Sequence, residues 1–232
     1  MIQVKKILWG IGLLFVVLLI SFFSFRAEQE AQSTQANIEQ PKLFLNTEEK
    51  RFLLNVARQT LNHYLKGDPI PKISVESLSP ALKEARGCFV TLEQGGNLRG
   101  CIGHIQPIKS LCDCVVENAI NAASKDPRFP EVDLNELNSI SIEISALTVP
   151  KKLDIEKRET LFQLLVPGRD GVILRQGWYQ ATFLPQVWRH FSDEESFLNA
   201  LCEKGGMPRG CWKDDETEVF TYQAEVFKET KP

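Results

Sequence analysis

The sequence predicts an α+β domain in two lobes, with a mainly antiparallel sheet and flanking helices, preceded by one transmembrane helix. Three observations carry this. A charge-free apolar run opens the chain at Ile7–Phe25. Two pairs of apolar, β-branched and aromatic runs flank glycine turns at Gly95-Gly96 and Gly177, as hairpins do. Between them lie segments with the 3.6-residue apolar period and capping residues of helices. Interleaved helices with a predominance of hairpins favour antiparallel pairing with helices packed on the sheet.

The elements follow in order. Ile7 to Phe25 would span about 28 Å as a helix, close to the hydrocarbon thickness of a bilayer. The run is longer than a signal-peptide core, and bulky Phe22, Phe23 and Phe25 stand where small residues precede a cleavage site, so an uncleaved anchor is favoured. Lys5 and Lys6 precede the run and only Arg26 follows it, an excess that favours the domain on the extracytoplasmic side. Residues 1–26 are thus read as an anchor, 27–45 as a Gln-, Glu-, Ala- and Ser-rich linker, and 46–232 as the folded domain.

Asn46 with Glu49 forms a capping-box pattern at a helix that carries Phe52, Leu53, Val56, Leu61 and Leu65 on one stripe and stops at Gly67. A short helix is expected around Pro80–Ala85, then a hairpin across Gly87–His104, with Val90 opposite Cys101 and Leu92 opposite Arg99 if the turn has two residues. Ser110 caps a helix over 110–124, and Asp126–Pro130 (DPRFP) is a rigid turn. Residues 139–148 alternate, with Ile140, Ile142, Ile144 and Ala146 on one face, as in a half-buried strand. A second hairpin joins 171–174 to 178–183. A capping box at Ser192–Glu195 opens a helix that ends near Gly205-Gly206, and 219–227 is a last strand.

Composition sets limits on partners. Residues 27–232 keep 24 of the 27 basic residues and all 30 acidic ones, a formal charge of −6, which argues against a nucleic-acid partner. Six cysteines in a chain of 232 residues are no disulfide framework, and most have apolar neighbours, the setting of small buried hydrophobes. No zinc-ligand spacing appears: Cys112 and Cys114, two apart on a helix, point about 200° apart. Phosphate-binding, dinucleotide and serine-hydrolase motifs are also missing. No cofactor is implied by these residues.

The segment Leu98-Arg99-Gly100-Cys101-Ile102-Gly103 is the chemical candidate. Arg99 and Cys101 share a face of a regular strand, and an arginine beside a thiol favours thiolate. Gly100 and Gly103 admit close approach of a ligand or of another backbone. The plainer reading has Arg99 ion-paired at the surface, Cys101 as a buried thiol and the glycines as packing positions. Both readings stand on the sequence alone.

LRGCIG, preceded by GCFVTL (87–92) and followed by DPRFP (126–130), ELNSISIEISALTVP (136–150), GRDGVIL (168–174), LPQVW (184–188) and FLNALCEKGGMP (197–208), resembles the AMMECR domain family over roughly residues 48–228. Its prokaryotic members are called AmmeMemoRadiSam system protein A. The resemblance implies a two-lobed antiparallel fold, association with Memo-like and radical-SAM proteins, and a binding site drawn from Arg99, Gly100, Cys101, Gly103, Asp126, Arg128, Arg169 and Gln186. It implies no reaction. Cys88 and His104 depart from the usual pattern, where alanine and threonine are common, as does the apolar N-terminus.

Three functions compete. The first is an accessory or enzyme component binding a small anionic or modified substrate, with Arg99 and Arg128 holding negative charge and Cys101 as catalytic thiolate or covalent tether. It expects a pocket where Arg99, Cys101 and Gln186 converge. The second is a module without chemistry that recruits a partner to the membrane. The third, nucleotide or RNA binding, rests only on Trp178, Tyr179 and Arg189.

Overall fold

A computed structural model describes residues 45–230. Helix α1 (Thr47–Lys66) begins at Asn46, whose side chain accepts from the Glu49 amide while the Glu49 carboxylate accepts from the Asn46 amide, and it ends at Gly67 with φ 73°. These are the caps read from the sequence. The one-turn α2 (Pro80–Lys83) follows. Strands β1 (Cys88–Gln94) and β2 (Asn97–His104) turn at Gly95 and Gly96, which adopt φ of 59° and 83°, values that suit glycine. Helix α3 (Leu111–Ser124) is capped by Ser110.

The sheet is two sheets. β3 (Ile140–Leu147) and β8 (Ala224–Lys228) extend the first hairpin into the antiparallel order β2-β1-β3-β8. The second sheet, also antiparallel, has β4 (Lys151–Lys152), β5 (Gly171–Gln176), β6 (Tyr179–Phe183) and β7 (Glu218–Tyr222) in the order β4-β7-β5-β6. The single final strand expected at 219–227 is therefore β7 and β8, broken at Gln223 where the chain passes from one sheet to the other. The chain also crosses between β3 and β4, and the two crossings are bonded together: the Thr148 amide donates to the Gln223 carbonyl, and the Gln223 amide to the Thr148 hydroxyl.

Each sheet has its own core. Leu53, Val56, Ala57 and Leu61 of α1 and Leu111, Val115 and Ala119 of α3 pack on Val90, Leu92, Ile142 and Ile144. Full burial of each such Leu, Ile or Val contributes about 1.5–3 kcal/mol. In the second lobe the one-turn α4 (Leu161–Leu164) precedes α5 (Glu194–Lys204), whose Phe197, Leu198 and Leu201 pack with Leu174, Val219, Trp188 and Trp212. The cap of α5 is Asp193, which accepts from the Ser196 amide, not Ser192, whose hydroxyl donates to Asp193 instead. A third cluster, Ile105, Leu147, Ile173 and Tyr222 with Phe89, Leu184 and Phe220 against it, joins the two lobes.

Two expectations change. The strand at 139–148 is not half-buried: β3 lies between β1 and β8, and Ser141 and Ser145 on its second face are as buried as the isoleucines on its first. The hairpin register is also shifted. Thr91, not Val90, stands opposite Cys101, and Gly100, not Arg99, opposite Leu92. A β-bulge between Leu92 and Glu93 on one side sets Arg99 outside the pairing on the other.

The cysteines are not all inert thiols. Cys88–Cys114 ties β1 to α3 and Cys202–Cys211 closes a loop behind α5, leaving Cys101 and Cys112 free. The expected transmembrane helix and residues 27–44 of the expected linker lie outside the described residues, while Leu45, assigned to the linker, is buried in the first core. Among the described residues, no helix is long and apolar enough to cross a membrane.

Candidate functional site

The first sheet has two faces with different chemistry. Toward the helices, β1 presents Cys88, Val90 and Leu92, and the pairing sets His104, Ile102 and Gly100 of β2 beside them. A Cβ on Gly100 would stand 2.2 Å from the Ala122 carbonyl oxygen of α3, so only glycine lets helix and strand meet there. His104 accordingly faces α3, its Nε2 3.5 Å from Cys114 Sγ and its Nδ1 bonded with the Gln106 carbonyl.

The opposite face carries Cys101, Thr91, Glu143 and Lys228 as one row, because Cys101 pairs with Thr91, Thr91 with Glu143, and Glu143 with Lys228. The next row, Gly103, Phe89 and Ser145, lies toward the second sheet, where Phe89 joins the inter-lobe cluster. A Cβ on Gly103 would meet the Phe89 ring at 2.4 Å, so this glycine makes room for the phenylalanine. The Cys101 row lies beyond that cover and stays partly exposed.

Cys101 is fixed on three sides. The Thr91 hydroxyl donates to its sulfur at 3.3 Å. Its amide donates to Asp126 Oδ2 at 2.8 Å, and its carbonyl accepts from Arg128 Nη2 at 3.4 Å. Asp126 begins the DPRFP turn with its side chain 3% exposed. It accepts from the Arg128 amide at 3.1 Å and from Arg128 Nε and Nη2 at 2.9 and 2.6 Å. The Arg128 guanidinium, with help from the Cys101 and Arg128 amides, holds this carboxyl well below the usual carboxylate range. Arg128 itself is half-exposed, lies over the Phe129 ring at 5.6 Å, and is near enough to Cys101 for a thiolate there to interact with its charge.

Arg99 has a different task from the one its spacing suggested. The bulge turns it toward the 3₁₀ turn at Leu134–Ser139, where Nε and Nη2 bond both oxygens of Glu136 at 2.8 and 2.9 Å. Nη1 and Nη2 also bond the Pro130 and Glu131 carbonyls. At 11% side-chain exposure Arg99 closes the DPRFP segment onto β2, and Arg128 is the arginine beside Cys101.

The other sequence candidates lie in the second lobe. Arg169 pairs with the buried Asp170 at 2.9 Å and lines a cavity of about 310 Å³ with Thr148, Lys151, Tyr222 and Gln223. Asp170 also accepts from the Val166 amide, and its carbonyl accepts from Trp188 Nε1 at 2.6 Å, so this pair fastens the entry to β5. Gln186 is exposed on the 3₁₀ helix Pro185–His190.

Sequence reasoning missed Thr91, Ser141, Glu143 and Lys228. The signal for Glu143 was present, since a carboxylate stood mid-strand among serines opposite an unbroken apolar face. Burial and then the neighbouring Glu93 raise the Glu143 carboxyl above its ordinary range, against the opposing pull of Lys228. Ser141, 3% exposed, has a buried hydroxyl without a hydrogen-bond partner. Among the described residues no group of three or more His, Cys, Asp or Glu is placed to hold a metal ion.

Comparison with known proteins covers the same span. A family model described as AMMECR1 matches residues 54–227. The chain is 41% identical over 186 residues to a protein of Methanothermobacter thermautotrophicus, covering 80% of this chain and 96% of that one. It is 39% identical over 191 residues to protein MJ0810 of Methanocaldococcus jannaschii, covering 81% and 94%. The crystal structure of uncharacterized protein PH0010 from Pyrococcus horikoshii is similar with a TM-score of 0.73 at 36% identity, covering 82% of this chain and 96% of that one. None of these names states a reaction, so the chemistry rests on this chain's own side chains.

Proposed function

The chain belongs to the AMMECR1 family, and on that premise we propose that its domain binds a small molecule on the open face of the first sheet, with the Cys101 thiol as nucleophile or covalent tether. One observation carries the reading. A partly exposed thiol receives a hydroxyl hydrogen bond at its sulfur, while a buried carboxylate and an arginine hold the main chain on either side of it. A thiol placed only for packing needs no such hold. Arg128, half-exposed beside the sulfur, suits an anionic substrate group.

The test uses iodoacetamide on the full chain, read by mass spectrometry. Cys101 is expected to be modified ahead of Cys112, and inorganic phosphate to slow that modification in the wild type but not in Arg128→Met. Failure of Cys101 to react removes the thiol; slowing that survives in Arg128→Met removes the anion site.

Two finer parts of the reading pull in opposite directions. The family resemblance supports a place in an AmmeMemoRadiSam-type set with Memo-like and radical-SAM partners. The lysines before residues 7–25 and the two disulfides support an anchored domain on the extracytoplasmic side, where bridges persist. Protease treatment of intact and permeabilised cells decides between them, because cleavage from outside separates the domain from any cytosolic partner.

A second reading, recruitment of a protein partner without chemistry, is favoured by Trp178, whose ring is wholly exposed at the β5–β6 turn beside the exposed Tyr179. Loss of a co-purifying partner on Trp178→Ala, with Cys101 dispensable, would select it.

A further inference from the structure

We propose that the face holding Cys101 continues across β1 to a second subsite, formed by Glu143 and Ser141, that takes the amine end of the substrate. The inference rests on the thiol-centred reading above and adds the chemistry of the substrate's far end: a bipolar small molecule, electrophilic or anionic beside Cys101 and Arg128, cationic beside Glu143.

Four observations lead there. Cys101 and Glu143 stand on one row two strand steps apart, which at about 4.8 Å per step separates them by about 10 Å. Thr91 lies between them, a short side chain that is itself partly exposed. Glu143 and Glu93 place two carboxylates here against one ammonium, Lys228, which is already ion-paired with Glu93. The local balance favours a cation. Finally, Ser141 is 3% exposed, and its buried hydroxyl has no hydrogen-bond partner. A buried hydroxyl without a partner carries a desolvation cost that a ligand donor or acceptor would remove. Ser141 is on the strand and face of Glu143, opposite Glu93.

The energetics agree with an ammonium ligand. Glu143 is raised by burial and by Glu93, two effects that a bound cation offsets together. An anion at this position would aggravate both.

Paired thiosulfonate reagents test the span on the full chain. The Cys101 thiolate attacks the sulfenyl sulfur of 6-aminohexyl methanethiosulfonate, a mixed disulfide forms, and methanesulfinate leaves with the electron pair of the broken bond. The chain from sulfur to nitrogen is about 10 Å when extended, long enough to reach Glu143. Hexyl methanethiosulfonate is the neutral control. In the wild type the amine reagent is expected to label Cys101 roughly two- to fivefold faster than the control, the range of a partly exposed charge pair. The ratio should fall to about one in Glu143→Gln and rise in Lys228→Met, where a competing cation is gone.

An unchanged ratio in Glu143→Gln overturns the subsite. Should that variant fail to fold, an unchanged or lower ratio in Lys228→Met does the same. If neither reagent labels Cys101, the thiol-centred reading itself falls. If both label it and the ratio ignores Glu143, the thiol stands and only the amine subsite is lost.

Discussion

The main-chain amide of Cys101 lies 2.8 Å from Asp126 Oδ2, joining the middle of β2 to a turn 25 residues further along the chain. That bond makes the DPRFP turn part of the candidate site, although its residues belong to no strand of the sheet.

Asp126→Asn is expected to destabilise the domain by about 2–4 kcal/mol, because it removes the charge partner of Arg128 and one acceptor from a buried cluster. For a domain of this size the loss lowers Tm by roughly 5–15 °C. The sign with pH is fixed. A carboxyl depressed by folding contributes stability that is fully present above its unfolded value, about pH 4, and is lost as pH falls toward the folded value. Urea titrations from pH 7 down to pH 2 should therefore show the wild type converging on the variant in acid.

Gly100→Ala places a methyl group 2.2 Å from the Ala122 carbonyl oxygen. Backbone cannot yield as a side chain tip can, so α3 must shift from the sheet at a cost of about 1–3 kcal/mol. Gly95→Ala, with nothing within 4 Å but a φ of 59°, separates the two reasons for glycine: it should cost about 1 kcal/mol through backbone strain alone. Chemical denaturation of both variants measures the difference.

A thiol census should find two free thiols among the six cysteines after unfolding without reductant, and six with it. In the native protein only Cys101 should react near neutral pH. Burial, and then Asp113, push the Cys112 thiol up to about 11, so it has almost no thiolate to offer. Six free thiols in unreduced protein isolated from its own compartment would contradict the bridges.

Glu143→Gln should stabilise the domain at neutral pH. Its carboxyl is raised by folding, so ionisation at pH above the folded value works against the native state, and the penalty vanishes below the unfolded value. Thermal melts at pH 7 and pH 4 should show a gain at the first and little at the second. A gain in stability at the cost of amine selectivity would mark Glu143 as a residue kept for binding.

Much of the fold was legible because its signals are local. Asn46 with Glu49, Gly67, Ser110 and Gly95-Gly96 act within four residues of themselves, and the structure has each where the sequence put it. What misled was non-local. Cys88 and Cys114 meet only because α3 lies across β1, and no spacing rule reports that. β3 read as half-buried because its serines look like a solvent face, yet β3 is an inner strand between β1 and β8 and both serines are buried. The LRGCIG segment was recognised as chemical, yet its arginine was assigned to the thiol, since nothing within the hairpin shows Glu136 waiting for Arg99.

The bulge at Arg99 has a consequence that can be put as parity. Counted back from the Gly95-Gly96 turn without it, Cys101 falls opposite Val90 and points among the helices. One unpaired residue changes an even offset to an odd one, and every side chain beyond it trades faces. Ile102 goes in and the thiol comes out. Deleting Arg99 would thus flatten the hairpin yet leave Cys101 opposite Thr91 with its thiol on the outer face, whereas pairing Arg99 into the strand would seal that thiol among the helices.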